Sequence, residues 1–78
     1  MTPIQKRILS IVSDRKMSYI VIVNIASELN MTFEDVEEQF KLMQDDGFVE
    51  YERRTWDSAE VRITADGYRA LNDEAEDI

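Results

Sequence analysis

The stretch from Ile25 to Glu50, IASELNMTFEDVEEQFKLMQDDGFVE, decides the fold. Ile25, Ala26 and Leu29 supply the buried side of a helix. Asn30 ends it, because asparagine accepts left-handed dihedrals more readily than most residues. Thr32 opens the next helix, with Asp35 three residues later in a variant of the capping box. Phe33, Val36, Phe40 and Met43 recur at spacings of three and four, so they share one buried face. Asp45-Asp46-Gly47 closes this helix, since Gly47 is free to take a positive φ. A strand then starts at Phe48.

Outward toward the N-terminus, the first of these helices begins at about Val21, with Val21 and Ile22 on its buried side. Met17 to Val23 is ambiguous between a short strand and a helix start, because a short apolar run does not reveal its period. Tyr19-Ile20-Val21-Ile22-Val23 holds more apolar surface than one face of a short element can bury. It reads either as a self-association or partner patch or as a short central strand followed by a buried helix start. Pro3 to Asp14 is a predicted helix. Thr2 caps it, and Pro3 suits the first position, where a missing N–H costs nothing. Ile4, Ile8, Ile11 and Val12 form its apolar stripe. Lys6, Arg7, Arg15 and Lys16, with Asp14, sum to +3, the only strongly basic region.

Toward the C-terminus, Phe48 to Arg54 is strand-like, with Val49 and Tyr51 on one face. Thr55 to Ser58 is a turn. Ala59 to Ile63 returns as a second strand, Val61 and Ile63 inward, Glu60 and Arg62 outward. Thr64 caps a last helix in which Tyr68, Leu71 and Ala75 share a face. Asn72 to Ile78 holds four acids and reads as a fraying tail, so the expected division is a domain over residues 1–72 and an acidic tail over 73–78. No internal repeat or low-complexity segment is present.

Seventy-eight residues make one small domain. At this size only about 60% of the unfolded surface is buried, so the core is small. The absence of cysteine excludes a disulfide scaffold, a Cys-rich zinc site and a cysteine nucleophile. Without histidine, the usual general base near neutral pH is missing and a metal would have only carboxylates. A net charge of −8 and a pI of about 4.3 oppose non-specific attraction to phosphate backbones or anionic lipid. The longest apolar run is five residues, against about 20 needed to span a bilayer, so no membrane association is expected and the protein is placed in the cytoplasm. No glycine-rich phosphate loop, nucleophile elbow or metal-ligand spacing occurs, and a domain this small rarely encloses a substrate pocket. The expectation is a non-enzyme with no cofactor, no metal and no small-molecule substrate.

The order of helix, short strand or turn, helix, helix, hairpin, helix resembles a winged helix-turn-helix domain. The resemblance is carried by Ile25-Ala26-x-x-Leu29-Asn30-Met31-Thr32, by Val36-x-x-x-Phe40-x-x-Met43 and by Asp46-Gly47-Phe48-Val49-Glu50. Ile63-Thr64-Ala65-Asp66-Gly67-Tyr68 looks like the strand-to-helix corner of many such proteins. The resemblance implies an α+β fold: a three-helix core with a two- or three-stranded β-wing and a C-terminal helix. It covers nearly the whole chain, and it specifies fold rather than function.

Members of that superfamily commonly insert the helix corresponding to Thr32–Asp46 into the DNA major groove, while the wing touches neighbouring phosphates. The resemblance therefore implies base contacts from Glu34, Asp35, Glu37, Glu38 and Lys41. Here the sequence departs from the usual polar and basic pattern. Glu34, Asp35, Glu37, Glu38, Asp45 and Asp46 face a single Lys41, for a net of −5. Each carboxylate near a phosphate costs on the order of 1 kcal/mol even in water, against about 1–3 kcal/mol for one good base contact. Part of this charge has a local explanation. Glu34 and Asp35 lie in the first turn, where the helix dipole favours anions, and Glu37 pairs with Lys41 at i, i+4. Asp45 and Asp46 at the far end have none.

Two functions follow. One is a small DNA-binding transcriptional regulator acting on duplex DNA as a homodimer, with contacts from Arg53, Arg54, Thr55 and Trp56 at the hairpin tip and from Lys41, Lys6 and Arg7. The other is an acidic interaction module, an inhibitor or DNA-charge mimic of the kind seen in phage and mobile elements. It would present Glu34, Asp35, Glu37, Glu38 and Asp45 to a basic protein partner. At the hairpin tip, the arginines and Trp56 either grip a phosphate or a partner surface, or Trp56 folds back over the sheet while the arginines pair Glu50, Glu52 or Glu60.

Overall fold

Capping residues set the limits of the first helix. In the computed structural model, which describes residues 1–15 and 18–76 with side chains to residue 72, Thr2 and Gln5 form a reciprocal capping box and α1 runs Pro3–Asp14. Then follow β1 (Tyr19–Val21), α2 (Ile22–Leu29), α3 (Phe33–Asp45), β2 (Val49–Arg53), β3 (Ser58–Ile63) and α4 (Ala65–Glu76). This is an α+β fold of four helices and a three-stranded antiparallel sheet ordered β1-β3-β2. Lys16, Met17 and the last two residues lie outside the described residues. The residue-72 boundary expected from the acidic run falls within α4.

The turn between α2 and α3 follows from local chemistry. Asn30 adopts φ 56° and ψ 44°, the left-handed conformation that ends a helix, and the Met31 N–H donates to the Ala26 carbonyl at 2.9 Å. The Thr32 hydroxyl then accepts the Asp35 N–H at 3.1 Å and starts α3. Gly47, at φ 84°, reverses the chain into β2.

The core lies between the helices and the inner face of the sheet. Ile8, Leu9 and Val12 of α1, Ile22, Ile25 and Ala26 of α2, and Val36, Phe40 and Met43 of α3 meet Ile20, Val49, Ala59, Val61 and Ile63. Phe40 is wholly enclosed and stacks on Tyr51 at 5.2 Å between ring centroids. The stripe expected on α1 is shifted. Ile4 is exposed, and Leu9 takes a core place beside Ile8 and Val12. The Tyr19–Val23 run divides its apolar surface between elements: Ile20 and Ile22 are buried, while Tyr19 and Val23 are exposed. Its strand is at the sheet edge, because β3 and not β1 takes the centre.

The C-terminal helix docks through a corner built on Thr64. Its N–H donates to the Phe48 carbonyl at 3.0 Å, and its hydroxyl donates to the Gly47 carbonyl at 2.6 Å and accepts the Gly67 N–H at 3.0 Å. Helix α4 thus starts hard against the beginning of β2. A Cβ on Gly67 would stand 2.1 Å from the Phe48 carbonyl oxygen. The face of α4 turned inward carries Gly67 and the half-buried Leu71, whereas Tyr68, expected there, is exposed. The side chain of Ala75 lies outside the described residues.

Candidate functional site

Glu37 is where the hairpin meets α3. It sits one turn along the helix from Phe33, and only 16% of its side chain is exposed. Its carboxylate accepts the Tyr51 hydroxyl at 2.8 Å and pairs with the Arg53 guanidinium, with Lys41 at 4.0 Å. The i, i+4 pairing with Lys41 read from the sequence is present, but it is the weaker of the two ion pairs. Tyr51 also fixes its backbone here, donating its N–H to the Gln44 side-chain oxygen at 2.7 Å. Glu37 therefore belongs to the joint between helix and hairpin more than to the free acidic face.

Arg53 is spent in the same joint. Its Nε donates to the Thr55 carbonyl at 2.7 Å and its Nη2 to the Trp56 carbonyl at 2.6 Å. The guanidinium also lies over the Phe33 ring, 4.7 Å from the centroid. Arg54 bridges Glu52 at 3.3 Å and Glu60 at 3.0 Å, two carboxylates directly opposite across the strands. Arg62 pairs with Glu50, Arg15 with Glu28 and Arg69 with Asp66. The pairing of Arg54 with Glu52 and Glu60 is the one anticipated for a tip that grips nothing. The pairing of Arg53 with Glu37 was missed, because it joins residues sixteen apart through a tertiary contact with no local pattern.

Trp56 does not fold back over the sheet. It is 76% exposed, the most exposed of the large hydrophobic residues among those described. The turn that presents it is braced. Arg54 and Thr55 donate their N–H groups to the Ser58 carbonyl at 2.9 and 3.2 Å, and the Thr55 hydroxyl meets Asp57 at 3.0 Å and Ser58. The Ile22 N–H, at the start of α2, donates to the Asp57 carbonyl at 2.7 Å.

Glu34, Asp35, Glu38, Asp45 and Asp46 are exposed, and among the described residues no cation pairs with them. Lys41 is the lone cation on the same side of α3. Lys6 and Arg7 are on α1, a different element from the hairpin that carries Arg53 and Arg54. The structure thus brings Arg53, Thr55, Trp56, Glu37 and Lys41 together and leaves the α1 cations on another element.

Two titrations are shifted in this joint. Burial alone would push the Glu37 carboxyl up. The Tyr51 hydroxyl, the Arg53 guanidinium and Lys41 outweigh burial and hold it below the ordinary value. Burial, and then the Glu37 charge beside it, push the Tyr51 phenol well above its ordinary value. A carboxyl with a depressed folded-state pKa stabilises the fold above its unfolded value, near 4.3, and loses that contribution as pH falls through the folded value. Wild type should therefore lose stability more steeply than Glu37→Gln below about pH 4. Urea melts from pH 7 to pH 3 measure this, and parallel curves for the two proteins would count against the joint.

Compared with known proteins, the chain matches no family model and no curated protein. Among the described residues no helix is long and apolar enough to cross a membrane.

Proposed function

We propose that this is a winged helix-turn-helix domain working as an acidic protein-interaction module, with the outward side of α3 meeting a basic protein surface. The element order, the β1-β3-β2 sheet and the α2–turn–α3 pair support the winged-helix reading. In it, α3 occupies the place of the recognition helix and the β2–β3 hairpin that of the wing. The observation that carries the function is the distribution of charge compensation. The hairpin cations Arg53 and Arg54 are neutralised by carboxylates of the same molecule, while among the described residues no cation pairs with Glu34, Glu38 or Asp45 on α3. A phosphate approaching the hairpin would have to displace Glu37, Glu52 and Glu60, and would meet the uncompensated acids of α3 beside them. A basic protein meets no such opposition, and exposed carboxylates of opposite charge steer it in from a distance.

A duplex-binding regulator is the second reading, favoured by the exposed Trp56 at the hairpin tip. One variant separates the two. Glu34→Gln, Glu38→Gln and Asp45→Asn together remove three negative charges and leave the Glu37 joint intact. Glutamine is a tolerable helix former, so the fold should survive. Binding to a basic protein such as a histone should weaken, mainly through slower association at low salt. Binding to any duplex should strengthen in a salt-dependent way. Tight, selective binding of one duplex by wild type, with selectivity lost in the variant, would sink the acidic-module reading.

A further inference from the structure

We infer that Trp56 and the outward carboxylates of α3 form one continuous docking surface for an arginine-rich protein segment, with a guanidinium of that segment stacked on the indole. This rests on the acidic-module reading and specifies its partner. A single group shows that the two parts adjoin: the Arg53 guanidinium touches the Glu37 carboxylate, the Phe33 ring and the Trp56 carbonyl at once. At about 100° per residue, Glu34, Asp45 and Glu38 stand roughly 60–100° round α3 from Glu37, away from Val36, Phe40 and Met43. Lys41, paired with Glu37 and about 40° round, lies at the edge of the hairpin contact, and the acids begin just beyond it.

The exposure of Trp56 is built and not incidental. Two arginine hydrogen bonds to the Thr55 and Trp56 carbonyls, and the Thr55, Asp57 and Ser58 contacts, hold the turn that carries it. A large aromatic held out on an ordered turn gives up little entropy on binding, and such residues anchor interfaces.

The chemistry of the surroundings selects the occupant. The tip's own cations are engaged by Glu37, Glu52 and Glu60, so the indole stands in a field of net negative charge. That disfavours a nucleic acid base with its phosphates. It also disfavours a second copy of this chain, which carries the same −8. An arginine satisfies both halves of the surface, because its planar guanidinium stacks on aromatic faces and forks onto carboxylates, whereas a lysine ammonium is a compact, strongly hydrated point charge.

Nona-arginine and nona-lysine peptides of equal charge are the probes, titrated by calorimetry into wild type, Trp56→Ala and the three-carboxylate variant. Trp56 is the only tryptophan, so acrylamide quenching of wild type reads the same surface independently of any variant. Nona-arginine should bind wild type roughly three- to tenfold more tightly than nona-lysine, a margin that stacking supplies and charge does not. Trp56→Ala should abolish the margin, and bound nona-arginine should protect Trp56 from acrylamide. An arginine preference that survives Trp56→Ala, or no protection at saturating peptide, overturns the inference. If both peptides still weaken in the three-carboxylate variant, the acidic-module reading stands without it. If that variant binds both peptides as tightly as wild type, the acidic-module reading fails and the inference falls with it. Protection of Trp56 by duplex DNA and not by either peptide overturns both.

Discussion

Phe40→Ala should remove a large share of the protein's stability. The ring is fully enclosed, stacks on Tyr51, and stands where α3 faces the sheet. Truncating a buried phenylalanine costs about 3–5 kcal/mol, the lost transfer energy plus the cavity left behind. At about 0.05–0.15 kcal/mol per residue, a chain of this length has a total stability of roughly 4–12 kcal/mol to lose from. The variant should melt roughly 15–30 °C below wild type. The loss also reaches the candidate site, since Tyr51 is held by Phe40 on one side and by Glu37 on the other. Thermal melts by circular dichroism measure it, and a midpoint within a few degrees of wild type would show that the core is not organised around this ring.

Gly67→Ala should destabilise the protein although it replaces glycine by the best helix former inside a helix. On propensity alone the change would gain about 1 kcal/mol. The geometry reverses the sign. The new Cβ would lie 2.1 Å from the Phe48 carbonyl oxygen, 2.8 Å from Ile63 Cγ2 and 3.1 Å from the Phe48 carbonyl carbon. The carbonyl cannot swing away cheaply, because it accepts the Thr64 N–H at 3.0 Å and lies at the start of β2. Either α4 lifts off the sheet or the Thr64 corner opens. Overpacking of this kind costs about 1–3 kcal/mol, and here the neighbour is backbone, so a net loss of about 2 kcal/mol is expected. Denaturant unfolding gives the sign directly. A variant as stable as wild type, or more so, would mean that α4 does not sit this close.

Much of the fold was legible because its punctuation is local. Thr2-Pro3, Asn30, Thr32, Gly47 and Thr64 each act on backbone within a few residues, and each stands at an element boundary. Phase was harder. On α1, a stripe through Ile4 and one through Leu9 both include Ile8 and Val12, and only the surface α1 packs against decides between them. The same ambiguity put Tyr68 on the inner face of α4, where Gly67, with no side chain to reveal it, allows the close approach. At the candidate site, the residue types were readable and their partners were not. Opposite charges at positions 37 and 53 attract in any chain. That Arg53 reaches Glu37, while Arg54, one residue on, reaches Glu52 and Glu60, depends on the two faces of a twisted strand. Trp56 offers no periodicity from which its exposure follows.

The bond between Gln44 and the backbone of Tyr51 has a consequence for the protein in crowded solution. Strand β2 is an edge of the sheet, and its free side carries the N–H and C=O groups of Val49, Tyr51 and Arg53. Such a row is a template on which another extended chain can grow. Gln44, reaching down from the last turns of α3, already holds the middle donor of that row. An incoming strand would have to evict the amide, losing one hydrogen bond for each it forms there. One glutamine on a neighbouring helix thus guards an edge β-strand against cross-β growth, and it leaves the chain free to keep a short hairpin whose tip points outward.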